Sequence, residues 1–211
     1  GGAGTGSNTG LGHRGFALGG HEGPSGSDTY TAEIDFLTIS TLGDATKFGD
    51  LNNSRGNGIA GFASRTRGIG AGGYSGAGQN IIEFITMSST GDATDFGDLT
   101  VARGRFGSVC SSTRGVFAGG DPGVNTIDYI TIASTGNATD FGDTITAVSN
   151  SCGGASNKTR GAFLVAYVSP AATNAIQFVT IATTGNSVDF GDNTAGVYRS
   201  VGFSDSHGGL S

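Results

Sequence analysis

The sequence predicts an all-β fold made of four similar units, and three observations lead to this prediction. Glycine makes up 41 of the 211 residues, and each glycine inside a helix costs about 1 kcal/mol relative to alanine. The tripeptide Phe-Gly-Asp recurs four times at nearly regular intervals. Between these tripeptides lie short segments of β-branched and aromatic residues, which are typical of strands. Because a chain of this length suits one all-β domain, we predict a single repeat domain without helices.

The repeat is defined by two short motifs that keep the same order in every copy. Phe-Gly-Asp begins at Phe48, Phe96, Phe141 and Phe190. Arg-Gly begins at Arg14, Arg67, Arg114 and Arg160. These markers divide a repeat domain at 13–209 into copies at about 14–66, 67–113, 114–159 and 160–209. A flexible, glycine-rich leading segment is predicted at 1–12, and a start at glycine suggests a piece of a longer polypeptide.

Each copy contains four predicted strands, which the second and third copies illustrate. Arg-Gly opens the second strand, and the pair Gly72 and Gly73 ends it. The third strand is the six-residue apolar segment at 82–87, and the turn Ser-Thr-Gly separates it from the fourth strand at 93–98. The stretch at 103–111, rich in small residues, supplies the first strand of the following unit.

The third strand carries apolar side chains on both of its faces. Alternation along a strand places Ile82 and Phe84 on one face and Ile85 and Met87 on the other. A strand with two apolar faces must lie in a sheet that is covered on both sides. Four short strands in about 47 residues, packed in this way, are typical of a propeller blade.

The order of these landmarks resembles that of Kelch repeats. A glycine pair ends one strand, a hydrophobic strand follows, then an aromatic residue, and an arginine opens the next strand; the match runs from Arg14 to about Gly209. Phenylalanine stands where Kelch repeats usually carry tryptophan, which this chain lacks. The segment from Ser134 to Asp143 also resembles degenerate Kelch-like repeats of tail-fibre and structural proteins in tailed, particularly marine, phages. The resemblance implies a Kelch-like β-propeller of four four-stranded blades.

The arrangement of the two ends predicts how the ring closes. The chain begins with the second strand of a blade, and an additional first strand follows the last Phe-Gly-Asp, at Tyr198 to Phe203. If that strand completes the first blade, the ring closes with four blades and leaves no exposed edge. The competing arrangement is an open stack, or a ring that other chains complete. Small residues of the first strands, such as Gly107, Ser108, Gly153 and Gly154, suit a narrow central channel.

Charge and cysteine content exclude several classes of partner. The net charge of −6 disfavours a phosphate-binding surface, so we expect no nucleic-acid partner. No apolar run has the length of a membrane span, so we expect no membrane insertion. Cys110 and Cys152 match no metal spacing, and we expect small buried core residues rather than a disulfide.

The sequence offers few groups for catalysis or metal binding, so we predict no enzyme activity, no cofactor and no metal. Asp92, Asp95 and Asp98 present oxygens that calcium prefers, but the spacing of an EF-hand is absent and aspartate is common in turns. His13 and His207 approach each other only if the ring closes. The repeated arginines and the Phe-Gly-Asp aspartates are predicted to link blades through charge-assisted hydrogen bonds, the alternative being an anion site at the channel mouth.

The loop after the second strand is the most variable part of the repeat and the predicted binding surface. Its length varies from 6 to 13 residues among the copies, whereas the Ser-Thr-Gly turn on the opposite face is nearly constant. Binding residues are found preferentially on loops that a rigid scaffold displays. The predicted ligand-binding residues are His21, Asp28, Tyr30, Tyr74, Gln79, Asp121, Asn125 and Tyr167.

These features, with the phage-like repeat, predict a non-enzymatic structural or adhesion module of a virion, in a tail fibre or similar appendage. Its expected partners are a host-surface glycan or protein, other virion proteins and further copies of itself, for example in a trimer. The alternative is a bacterial secreted or surface propeller that acts as a lectin or protein-interaction module. The expected location is the virion, or in the alternative the outside of a bacterial cell.

Overall fold

A computed structural model describes residues 14–23, 29–197, 200–202 and 204, without the side chain of residue 151. These residues form sixteen β-strands in four antiparallel sheets and no helix. The all-β prediction is therefore confirmed. The sheets are offset from the predicted copies, since β4, β9 and β13 each lie in the copy before the one that supplies the rest of their sheet. The described chain contains no helix that could cross a membrane.

The strands of each sheet follow one another in chain order. The first sheet contains β1 (Arg14–Glu22), β2 (Thr29–Thr38) and β3 (Thr46–Asp50). The second contains β4 (Ala60–Ala63), β5 (Arg67–Ala71), β7 (Ala77–Thr86) and β8 (Thr94–Arg103), with the short β6 (Tyr74–Ser75) paired to β7. The third contains β9 (Gly107–Cys110), β10 (Arg114–Ala118), β11 (Val124–Thr131) and β12 (Thr139–Val148). The fourth contains β13 (Asn150–Ser156), β14 (Arg160–Val168), β15 (Ala171–Thr180) and β16 (Val188–Val197).

The sheets pack face to face, and a separate apolar core fills each of the three junctions. Ile85 of β7 faces the first sheet and packs with Phe48. On the opposite face of the same sheet, Ile82 packs in a core that includes Ile130 of the third sheet. A third core, around Val179, joins the third and fourth sheets. The two-faced apolar strand predicted from the sequence therefore lies between neighbouring sheets, as expected.

The repeated Phe-Gly-Asp motif links each sheet to the next through its backbone. At the second junction, the Phe96 carbonyl accepts a hydrogen bond from the Gly136 N–H, and the Asp98 carbonyl accepts one from the Ala138 N–H, each at 2.7 Å. The Asp98 N–H donates to Asn137 Oδ1 at 3.1 Å. The same three bonds recur at the other two junctions. At all three junctions the Phe-Gly-Asp aspartates therefore link the sheets through their backbone groups, and not through their carboxylates as predicted.

The repeated arginines also link the sheets. Arg67 Nη1 donates to the carbonyl of Ile132 in the following sheet at 2.8 Å. The guanidinium of Arg67 lies over the Phe84 ring of its own sheet, 4.4 Å from the ring centre. Arg14 and Arg114 make the same two contacts. The predicted role of these arginines between blades is confirmed at each junction of the described chain.

Small residues are required where the first strands of successive sheets approach each other. β9 lies against both β4 and β13. A methyl group added at Gly107 would lie 2.8 Å from Cys152 Sγ, and one added at Gly154 would collide with the carbonyl of Ser108. Cys110 and Cys152 are buried and are not joined in a disulfide, as predicted.

The first and fourth sheets each leave one apolar face uncovered. Ile39 of the first sheet is 66 % exposed, and Phe190 of the fourth is 55 % exposed, whereas Phe96 is 2 % exposed. In the described residues no hydrogen bond joins these two sheets. This arrangement of four sheets is consistent with a β-propeller-like fold, but it does not show a closed ring.

The segment predicted to close the ring lies partly outside the described residues, which lack 198, 199 and 203. Its described part packs on the fourth sheet. Ser200 Oγ donates to the Leu164 carbonyl at 3.3 Å, and Ser204 Oγ donates to the Ser156 carbonyl at 2.7 Å. This segment therefore lies beside β13, as β13 lies beside β9.

Candidate functional site

The loops after the second strands lie on the same face as the connections between successive sheets; we call this surface the loop face. Two pairs of backbone hydrogen bonds show the arrangement. Gly56, in the connection between the first and second sheets, pairs with Tyr74 at 2.9 and 3.0 Å. Gly104, in the next connection, pairs in the same way with Asp121. The loop face is therefore a continuous surface that several sheets support.

A polar cluster occupies the centre of the loop face. The hydroxyl of Tyr74 donates a short hydrogen bond to Asp121 Oδ2. Arg105 Nη1 lies 3.4 Å from the same carboxylate oxygen, and the Arg105 guanidinium lies over the Tyr74 ring at 5.2 Å from its centre. Arg105 Nε donates to Asn57 Oδ1 at 3.3 Å. Residues of four different connecting segments thus hold one another in place.

The backbone of the cluster adopts a conformation that side chains disfavour. Arg105 and Asn57 have φ values of 57° and 51°, the left-handed region that residues with a Cβ rarely adopt. Such conformations persist only where the surrounding structure imposes them, and they are concentrated at functional sites. The Arg105 N–H donates to the Gly58 carbonyl at 2.9 Å, which fixes this geometry.

Tyr74 is held in its neutral form. Burial raises the pKa of Tyr74 well above its usual value, and the hydrogen bond to Asp121 raises it further. The Tyr74 hydroxyl therefore keeps its proton and donates a hydrogen bond to Asp121 throughout the neutral pH range. A carboxylate has about four acceptor positions, so Asp121 keeps acceptors for a ligand.

Two further predicted residues extend the loop face over the first sheet. His21 and Tyr30 are opposite each other on β1 and β2, with ring centres 4.6 Å apart. Tyr30 is near enough to Tyr74 to contribute to its raised pKa. His21 is exposed and Tyr30 is partly buried, so this aromatic pair offers a ring surface beside the polar cluster.

The structure describes three of the other four predicted residues, and they lie at different places in the fold. Gln79 Nε2 donates to the nearby Ala77 carbonyl at 2.9 Å. Asn125 is exposed near the start of β11, where its carbonyl accepts a hydrogen bond from Thr144 at 3.1 Å. Tyr167 lies near the end of β14 in the fourth sheet and is partly buried. Asp28 lies outside the described residues.

The sequence prediction missed Arg105 and Asn57. Both lie in connections between sheets, whereas the loops of most variable length are those after the second strands. An available signal was the alternation of strand direction, since it places both kinds of loop on one face.

One of the three aspartates with oxygens that could suit calcium has a structural role. Asp92 Oδ1 accepts a hydrogen bond from the Asp50 N–H at 3.0 Å, across the first junction. Among the described residues, no three His, Cys, Asp or Glu side chains are arranged to hold a metal ion. His13 and His207 lie outside those residues.

Two comparisons with known proteins found no match. The sequence matches no protein-family model and no curated protein.

Proposed function

We propose that this protein is a non-enzymatic attachment module that binds a host-surface glycan or protein through its loop face. The observation that carries the proposal is the cluster of Tyr74, Asp121, Arg105 and Asn57, held at 3.4 Å or less by links between loops of different sheets. Rigid loops lose little conformational freedom when they bind, which favours affinity.

The chemistry of the cluster suits a polyhydroxylated ligand. The carboxylate of Asp121 accepts hydrogen bonds, and the guanidinium of Arg105 donates several in a fixed fork. The rings of His21 and Tyr30 present an apolar surface with polar edges. A sugar combines hydroxyl groups with an apolar face, so both parts of the site have a matching partner in the ligand.

The loops at one end of the sheets and the turns at the other end have different roles, which supports the choice of the loop face as the binding surface. The Ser-Thr-Gly turns hold neighbouring sheets together, since Gly91, Gly136 and Gly185 all donate backbone hydrogen bonds to the preceding sheet. Changes of length in these turns would disrupt the junctions. The loop face carries the length variation instead, as a binding surface requires.

For the fold and setting, we propose a Kelch-like β-propeller whose blades are the four sheets, the strand at 198–203 completing a first blade. The resemblance of the repeat sequence to phage repeats supports a place in the tail fibre or similar appendage of a virion, with other virion proteins as neighbours. The module then acts outside the cell, where glycans and surface proteins of a bacterial host are its targets.

Binding of the purified protein to a glycan array and to a panel of bacterial cells tests the proposal. We expect binding by the wild type and a loss of at least about tenfold in Arg105→Ala, because a charged hydrogen-bonding group is removed from the site. Arg65→Ala is the matched control, since Arg65 is exposed in the turn between β4 and β5 on the opposite face. Absence of binding to every glycan and cell, or equal loss in both variants, would overturn it.

A further inference from the structure

We propose that the exposed faces of the first and fourth sheets join two copies of this chain head to tail. This inference rests on the proposed blade architecture. It assigns the strand at 198–203 to the first blade of a second copy. It is independent of ligand binding by the loop face. The three junctions inside the chain show what such a contact contains.

The backbone groups of the two exposed ends are complementary. At the third junction, the Phe141 carbonyl accepts from the Gly185 N–H at 2.7 Å, and the Asp143 carbonyl accepts from the Ser187 N–H at 2.8 Å. The fourth sheet presents the same two carbonyls, at Phe190 and Asp192, and the first sheet presents the same two donors, at Gly43 and Ala45.

In the part of the chain that the structure describes, no backbone partner from another sheet reaches the groups at either end. Asp44 also stands where Asp92, Asn137 and Asn186 accept the third bond of each internal junction. The hydrogen-bond donors and acceptors of one exposed end therefore match those of the other exposed end.

Side chains at the two ends are complementary as well. Arg160 stacks on Phe178, as the other repeated arginines stack on their own sheets. The carbonyl that it would contact in a following sheet is that of Ile39, which corresponds to Ile132 and Ile181. Ile39 and Phe190 are exposed, whereas Ile181 and Phe141 at the same positions are buried. Joining the two faces would remove this apolar surface from water.

The first sheet also lacks a strand that the segment after the fourth sheet can provide. Its strand order is β1-β2-β3, whereas the third sheet has an additional first strand, β9, paired to β10. Residues 200–202 and 204 lie beside β13, where a further first strand would lie. When the first sheet of a second copy packs there, this segment becomes the strand that β1 lacks.

The partner is a second copy because the chain does not cover its own ends: both faces stay exposed in the single chain. One pair of residues explains why the contact is weaker than the internal junctions. Arg103 faces Asp128 at the second junction, and neutral Val148 faces Gln177 at the third. At the new contact Val197 would face Asp35, so the fourth sheet would supply no cation to this carboxylate. A reversible, head-to-tail association follows.

Sedimentation velocity over a range of protein concentrations tests this contact. We expect the wild type to associate as concentration rises, and Gly191→Ala and Phe190→Asp to stay monomeric with unchanged circular dichroism. Gly191 has open space beside it, whereas an added methyl group at Gly142 would lie 2.6 Å from the carbonyl of Gly185. Ile145→Asp is the matched control for Phe190→Asp, because these side chains are 56 % and 55 % exposed.

Mixing two blocked variants tests the head-to-tail geometry. Phe190→Asp and Ile39→Asp each keep one intact end, so the mixture should form a dimer and nothing larger. Val197→Arg should strengthen self-association about tenfold or more by pairing with Asp35, and Asp35→Asn should remove that gain. A wild type that is monomeric at all concentrations, or association that none of these end variants alters, overturns the proposal.

Discussion

Arg103 and Asp128 form an ion pair across the junction of the second and third sheets, with Nη2 and Oδ2 2.8 Å apart and both side chains fully buried. Arg103 also donates to the Thr126 carbonyl at 3.0 Å, and Thr100 Oγ1 donates to Asp128 at 2.5 Å. Arg55 and Glu83 form the equivalent pair at the first junction. At the third junction both partners are neutral, Val148 and Gln177. The chain thus contains a charged and an uncharged solution to the same packing problem.

We predict that Arg103→Val lowers the free energy of unfolding by about 3–5 kcal/mol, because it leaves the Asp128 charge buried without a partner. Urea denaturation followed by circular dichroism measures the change. The double variant Arg103→Val/Asp128→Gln copies the third junction, where Gln177 Oε1 accepts from the Ile145 N–H at 2.9 Å. It should recover most of the loss. A double variant as unstable as the single one would contradict the equivalence of the junctions.

A second prediction concerns the close approach of the sheets at Phe-Gly-Asp. Gly142 and Gly191 have similar φ values, 144° and 132°, but a methyl group would meet the backbone of the next sheet only at Gly142. Gly142→Ala should therefore lower the melting temperature markedly more than Gly191→Ala. Since the backbone strain is similar in both variants, the difference measures the cost of the steric contact. Equal effects would show that φ alone requires glycine.

A third prediction concerns alkaline pH. Burial raises the pKa of Cys152 to about 12 from the ordinary value of 9.0, against a smaller opposing effect of the Gly107 backbone. A raised folded-state pKa contributes stability that is complete below pH 9 and is lost as the pH rises toward 12.

Urea denaturation between pH 8 and 11 checks this loss in the wild type and in Cys152→Ala. The variant has a lower baseline because of its cavity, but its stability should fall less steeply with pH, by up to about 1.4 kcal/mol per pH unit. Parallel curves would mean that the thiol does not titrate with unfolding.

The fourth prediction separates the loop face from the fold. Tyr74→Phe removes the donor to Asp121 but keeps the ring under Arg105. We expect a loss of about 0.5–1.5 kcal/mol in stability, the value of one hydrogen bond, together with weaker binding in the array. Tyr129→Phe serves as a control, since Tyr129 stacks with Phe141 in the third junction and away from the loop face. A binding loss of the same size in this control would argue against the site.

Sequence patterns predicted the strands and their two covered faces because alternation determines where each side chain points. Ile82 and Ile85 could be assigned to opposite faces for that reason. The backbone links at Phe-Gly-Asp could not be predicted, because they depend on the distance between sheets. The sequence therefore predicted links through the side chains of these aspartates, whereas the backbone of the motif forms the links.

The candidate site was only partly predictable for a similar reason. Tyr74 and Asp121 were found from loop length and residue type. Arg105 and Asn57 join them through left-handed backbone conformations, which non-glycine residues rarely show and which sequence patterns do not indicate. The buried ion pairs had a clearer signal, since Arg103 and Asp128 both change to uncharged residues in the last copy of the repeat.

The proposed function requires that the loop face, and not the Ser-Thr-Gly face, meets the ligand. Hydrogen exchange by mass spectrometry, with and without the glycan that gives the strongest array signal, tests it most directly. We expect slower exchange in peptides covering 55–58, 72–79, 104–105 and 121–125, with no change at 88–92, 133–137 and 182–186. Protection confined to the latter three turns, or no protection despite saturating glycan, would contradict it.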